Sequence, residues 1–223
     1  MALADFQKLV EYLVRDDADR ISNDERDDAL AIAVDRYNKD RPKIAVEDLT
    51  AAGGHTLALP DGWQAGFSRI ASIETPVGNI PPTVLENDAW WLYQAPAGEV
   101  IQLLVALGAG ETVRVGYTQR HVLTAGEDTI PQGDREPVAS WAAAHLMEQL
   151  ASLYAGDVDP TIGAAQIGGQ DRSQSYAQRA RTYRKRYFDE LGLDPKRNTA
   201  AGAVVDLDLK DSRKQPFLTH RNR

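Results

Sequence analysis

The sequence predicts an α+β fold: a four-helix body, an antiparallel β module inserted between its second and third helices, and an extended C-terminal tail. Three observations lead there. Apolar residues recur at helical spacing before Pro42 and again between Asp134 and Leu191. The stretch between them switches to short β-branched and aromatic runs punctuated by proline and glycine. Residues 193–223 carry too little apolar surface to offset the entropy of ordering them. The organisation expected is residues 1–49 as the first half of the helical body, 50–128 as the β module, 129–192 as the second half of the body, and 193–223 as the tail.

The first helix is expected over Asp5 to Arg15, where Phe6, Leu9, Val10, Leu13 and Val14 share one side. The second opens on a capping box, Ser22-Asn23-Asp24-Glu25. In such a box Ser22 satisfies the Glu25 amide, Glu25 reaches back, and the acids that follow suit the positive end of the helix dipole. Ala29, Leu30, Ala33, Val34 and Tyr37 form its apolar side, and Pro42 disfavours helix at Arg41.

Strands are expected at Thr56 to Leu59, Arg69 to Glu74, Ala89 to Gln94, Val100 to Ala106 and Thr112 to Thr118. The turns between them include Pro60-Asp61-Gly62, Pro96-Ala97-Gly98 and Gly108-Ala109-Gly110. Strands so spaced, with no helix between them, indicate an antiparallel meander or small barrel. A third helix follows from Asp134, with Pro137 in its first turn and an end at Gly156. One stripe is expected on it: Val138, Trp141, Ala142, His145, Leu146, Gln149, Leu150 and Leu153. The last helix is expected from about Asp171 to Leu191 with Gly192 as its C-cap, and Tyr176, Ala180, Tyr183, Tyr187 and Leu191 along one side.

Composition narrows the function classes. There is no cysteine, which rules out thiol nucleophiles, disulfides and Cys-based zinc sites and suits folding in a reducing cytoplasm. Met1 to Phe6 has neither a basic region nor a long apolar run, so a signal peptide is not expected, and no apolar run is long enough for a membrane span. The net charge of −8 argues against a mainly nucleic-acid-binding role. It is unevenly spread: residues 1–170 carry 12 basic and 26 acidic residues, net −14, and residues 171–223 carry 13 and 7, net +6. Such a subunit can associate head to tail with copies of itself, although two solvated faces would look the same.

Candidate chemistry is thin. His55, His121, His145 and His220 are scattered, without H-E-x-x-H spacing. Asp206, Asp208 and Asp211 lack the glycine and terminal glutamate of an EF-hand loop. Gly108-Ala109-Gly110 reads as a hairpin turn, and there is no nucleophile elbow or Walker sequence. Gly168-Gly169-Gln170 matches the tripeptide of class I release factors, but those are longer and carry it on a basic domain; glycines ahead of a helix account for it here. No enzyme activity, metal or cofactor is expected. Two features point to partners instead. The helix carrying Arg181, Arg184, Lys185 and Arg186 reads as an inter-subunit or channel-facing basic helix. Trp90-Trp91 on a strand puts one indole on each face, one of them a candidate interface aromatic.

Ser22-Asn23-Asp24-Glu25-Arg26-Asp27-Asp28-Ala29-Leu30, followed by Ala33 through Tyr37-Asn38-Lys39-Asp40-Arg41-Pro42, resembles the N-terminal part of head-to-tail connector (adaptor) proteins of tailed bacteriophages. In that group a helix ending Tyr-x-x-Asp-Arg-Pro leads into an inserted β module. Arg114 to His121, then Asp128-Thr129-Ile130-Pro131 and the helix from Pro137, resemble the family's return to the helical body. The resemblance spans about Ser22 to Leu153 and is one of arrangement, not of a catalytic signature.

It implies a homo-oligomeric ring, commonly of twelve copies, in the virion neck beneath the portal protein, made in the host cytoplasm. Such a ring extends the channel through which DNA passes without sequence-specific binding, and it presents a platform for a tail or stopper protein. No membrane contact is implied. By the same resemblance the C-terminal extension climbs onto the portal, with Val204, Val205, Leu207, Leu209, Phe217, Leu218, Arg221 and Arg223 as contacts. Other readings are a tail terminator or baseplate ring component, and a nucleic-acid-binding accessory protein using the basic helix 171–191.

Overall fold

The structure is a computed structural model and describes residues 2–15, 20–156 and 164–195. The tail residues named above, Val204 to Arg223, lie outside the described residues. The architecture is α+β: four helices and two small antiparallel sheets, with the strands between the second and third helices.

Helix α1 spans Ala2–Val14 and α2 spans Asn23–Asp40. The Ser22 box forms as expected: the Glu25 amide donates to the Ser22 hydroxyl at 3.2 Å, and the Ser22 amide donates to the Glu25 carboxylate at 2.8 Å. The Ser22 amide, and after it the Ser22 hydroxyl, donate to the Glu25 carboxylate and hold its carboxyl below the ordinary range. Helix α3 spans Arg135–Gly156 and α4 spans Ala164–Leu191.

Two helices differ from expectation. Helix α4 begins at Ala164, so Gly168-Gly169-Gln170 lies inside a helix and not in a loop before one. Ala164-Ala165 are strong helix formers, and continuation from them offsets the modest cost of two glycines. Helix α3 carries no single stripe. Ala139, Ala143, Met147 and Tyr154 are buried alongside Val138, Ala142, Leu146 and Leu150, whereas Leu153 is 45% exposed. The cause is position: α3 packs against α4, α2 and α1, and its alanines let those neighbours approach.

Helix α4 ends in a full Schellman motif. Gly192 has φ +64°, its amide donates to the Asp189 carbonyl, and the Leu193 amide donates to the Phe188 carbonyl at 2.9 Å.

The β module has six strands: β1 (Lys43–Thr50), β2 (Gly54–Leu57), β3 (Ile70–Glu74), β4 (Trp90–Ala95), β5 (Gly98–Leu107) and β6 (Thr112–Gln119). They form two three-stranded sheets, ordered β1-β6-β3 and β2-β5-β4, so the module is not a meander. Their inward faces share one core that includes Leu57, Ile73, Ile101, Leu103, Val113 and Val115.

Strand β1 was not among the expected strands, and the boundary expected at Thr50 falls on its last residue. Its apolar residues divide between the two faces, with Leu49 packed on the β core. Ile44 and Val46 face solvent at 56% and 62% exposure, while Glu47 points inward and accepts from the Tyr117 hydroxyl at 3.1 Å. Burial, reinforced by Glu47, raises the pKa of that phenol. Gly62 leaves room here: a Cβ on it would stand 2.0 Å from Gln119 Nε2 and 2.5 Å from the Tyr117 oxygen, so those side-chain ends would have to move.

The first and last strands pair along their whole length, from Lys43 opposite Gln119 to Thr50 opposite Thr112. The entry and exit of the insertion therefore meet at one point, the C-terminal end of α2. There Arg41 donates to the Asp134 carboxylate at 3.1 Å and to the Leu191 carbonyl at 2.7 Å. Tyr37 donates to the same carboxylate at 2.5 Å, and its ring lies 5.0 Å from that of His121. The His121 amide donates to Asn38 Oδ1 at 2.7 Å, and its ring nitrogens lie 2.9 Å from the Thr129 carbonyl and 3.1 Å from the Arg41 carbonyl. At the last residue of α2, Asp40 accepts from Tyr187 and from Arg36, both at 2.7 Å.

Replacing Arg41 with Met removes two charge-assisted bonds at a half-exposed site, and a loss of about 1–2 kcal/mol is expected in urea unfolding. Arg114→Met, which breaks the exposed pair with Asp48, should shift the urea midpoint far less than the Arg41 variant. A second expectation concerns pH. Burial, and then the bonds to Asp134 and Asp40, raise the pKa of the Tyr37 and Tyr187 phenols above the ordinary value of 10.0. The stability they contribute is complete below pH 10 and is lost as pH rises beyond it, because only the unfolded chain ionises there. Urea midpoints at pH 8, 10 and 11 should fall, and fall less steeply in Tyr37→Phe/Tyr187→Phe.

Candidate assembly surfaces

The basic helix divides into two sets of cations. Arg184 is paired with Glu148 at 2.5 Å, and Arg186 bridges Glu136 and Glu190. Arg179 donates to the Leu13 carbonyl at 3.1 Å, a carbonyl it shares with the Tyr183 hydroxyl at 2.9 Å. These cations tie α4 to α3 and α1, so Arg184 and Arg186 are largely spent inside the chain. Arg181 and Lys185 are not. Arg181 is exposed and has no partner among the described residues, and Lys185, 80% exposed, makes only a 3.5 Å contact with Asp189. The tyrosines pack as expected: Tyr187 is buried in the helical core, with Tyr176 and Tyr183 against it. Nothing in the sequence signals the long-range partners Glu148 and Glu136, because they become neighbours only when α3 and α4 pack.

The tryptophan pair is split by the strand. Trp90 faces the β core opposite Leu103, and Trp91 faces outward opposite Gln102. Trp91 has company there. Tyr93 is two residues along the same strand, and Leu104 is on the adjacent one, with exposures of 41%, 49% and 60% for Trp91, Tyr93 and Leu104. Strand β4 ends its sheet, so this apolar strip runs beside a sheet edge that pairs with no further strand among the described residues. Strand β1 is likewise the end of its sheet, with Ile44 and Val46 exposed. These additional surface residues, Tyr93, Leu104, Ile44 and Val46, are not singled out by the sequence. Their alternation reads equally as core or surface until the sheets are assembled.

Acidic groups are held by specific donors. The Asp48 carboxyl lies below its ordinary range because Arg114 binds it in two places, at 2.7 and 2.9 Å. Glu111 is lowered by the Gly108 amide and the Thr75 hydroxyl, at 2.7 and 2.8 Å. Among the described residues no three His, Asp or Glu side chains gather where a metal ion could be held. Among them, too, no helix is long and apolar enough to cross a membrane. No protein-family model matches this sequence, and no curated protein matches it.

The two tryptophans should separate in stability. Trp90→Ala empties part of the β core and is expected to cost about 3 kcal/mol, whereas Trp91→Ala, on the surface, should stay within about 0.5 kcal/mol. Denaturant unfolding of both variants checks this; a costly Trp91 would mean that its strip packs within the chain.

Proposed function

We propose that the protein is a structural subunit that assembles into a ring, and specifically a head-to-tail adaptor joining a capsid portal to a phage tail. The observation that carries the assembly part is the Trp91, Tyr93 and Leu104 strip beside the open β4 edge. Large aromatic residues exposed together are characteristic of protein interfaces, and an open edge accepts a further strand. The adaptor part rests on the resemblance of residues 22–42 and 114–153. It is supported by the placement of the β module between α2 and α3, where that resemblance expects it. On this reading the acidic balance of residues 1–170 suits a channel that passes DNA without holding it. The portal contacts fall to Val204 through Arg223.

Mass photometry and negative-stain imaging of the full chain, alone and with its portal protein, test the proposal. Rings of about a dozen copies, or a ring seated on the portal, are expected. A chain that stays monomeric and ignores the portal overturns the reading. Deleting Val204 to Arg223 should leave the melting transition unchanged and abolish portal docking. Salt-sensitive DNA binding lost in Arg181→Glu/Lys185→Glu, without rings, would favour the nucleic-acid reading instead.

A further inference from the structure

We infer that copies of this chain join head to tail through the outward stripe of α2 on one copy and the outward stripe of α4 on the next. This rests on the ring reading for self-association and adds the two surfaces and their pairing. On α2 the buried side is Ala29, Leu30, Ala33 and Tyr37. The opposite side presents Asp24 and Asp28, both exposed and without a partner among the described residues. Ala31 and Ile32 continue that side, and Ile32 is an aliphatic group left 44% exposed. Asp35 lies on the same line and is held by Arg120 at 3.0 Å.

On α4 the buried side is Ala180, Tyr187 and Leu191, and the outward stripe runs through Gln174, Gln178, Arg181 and Lys185. The charges of the two stripes are opposite in sign: Asp24 and Asp28 on α2, Arg181 and Lys185 on α4, where Lys185 also has Asp189 3.5 Å away. They are also matched in spacing. Each pair is four residues apart, which sets its members about 6 Å apart along their helix. Two helices laid side by side can therefore place both pairs in contact at once.

The stripes lie on different helices, so the contact is heterologous, and repeating it builds a ring when the rotation closes. Exposed ion pairs bind weakly one at a time. Their contribution here is partner choice and register, with Ile32 and the open sheet edges supplying apolar area. The alternative occupant of α4, a phosphate backbone, is favoured less. Arg184 and Arg186 already carry carboxylates, and Asp189 stands beside Lys185. Arg181 and Lys185 are a small footprint for a nucleic acid and a sufficient one for Asp24 and Asp28.

Charge reversal on each side separates the outcomes. Asp24→Lys/Asp28→Lys and Arg181→Glu/Lys185→Glu, each studied alone by mass photometry, should lose at least tenfold in self-association. An equimolar mixture of the two should recover assembly, because each variant then offers the surface the other needs. Asp28→Lys alone spares the first-turn acid Asp24 and gives a partial loss if the double variant folds poorly. Wild-type assembly should also weaken as salt rises from 0.05 to about 0.5 M. If wild type forms rings but both double variants form them equally well, the interface is elsewhere while the ring reading stands. If wild type never associates, the ring reading and this inference fall together. Loss of DNA binding in the α4 variant, with the α2 variant assembling normally, assigns α4 to nucleic acid and overturns the pairing.

Discussion

The Asp134 carboxylate, shared by Arg41 and Tyr37, is the contact on which the arrangement of the molecule depends. An insertion of this length between two helices imposes a constraint: its two ends must return to one place, or α2 and α3 cannot pack. Pairing β1 with β6 brings the ends together, and the Arg41 group fastens them. Arg41 reaches Asp134 at the start of α3 and the last carbonyl of α4, while its own carbonyl lies against His121 at the exit of the module. Three helices and the β module therefore meet through one side chain. Removing it would leave the Leu191 carbonyl without its side-chain donor and the Asp134 carboxylate with the Tyr37 hydroxyl alone.

The two halves of the molecule keep separate cores. The helical one gathers Phe6, Leu30, Tyr37, Leu146, Leu150 and Tyr187, and the β core gathers residues from both sheets. Between them run polar contacts, His121 to Asn38 and Arg120 to Asp35, beside the Tyr37 ring that lies against that of His121. Polar junctions of this kind set an orientation by directional bonds more than by buried area. The β module is thereby presented at a defined angle while its outward strip stays open.

Charge is used in two ways. Most cations of α4 hold the helices to one another, and those bonds are local and partly screened. The few left over, with the acids of α2, are the ones available to another molecule. The net charge of a segment says little about recognition until its internal contacts are subtracted: Arg184 and Arg186 hold carboxylates, Arg179 holds the Leu13 carbonyl, and Arg181 and Lys185 stand on the outward stripe.

What the sequence alone determined was local. The Ser22 capping box, the stop before Pro42, the Gly192 cap and the opposite facing of Trp90 and Trp91 follow from neighbouring residues, and periodicity alone established the order of helices around a β insertion. The tertiary structure decided whatever depends on residues far apart in the chain. It revealed β1, whose Ile44 and Val46 face solvent and whose inward glutamate bonds Tyr117, 70 residues later. It paired the first strand with the last, buried α3 on nearly every side, and chose which tryptophan faces out. The physical reason is the same in each case: a strand's or helix's faces are equivalent to its own sequence until another element covers one of them.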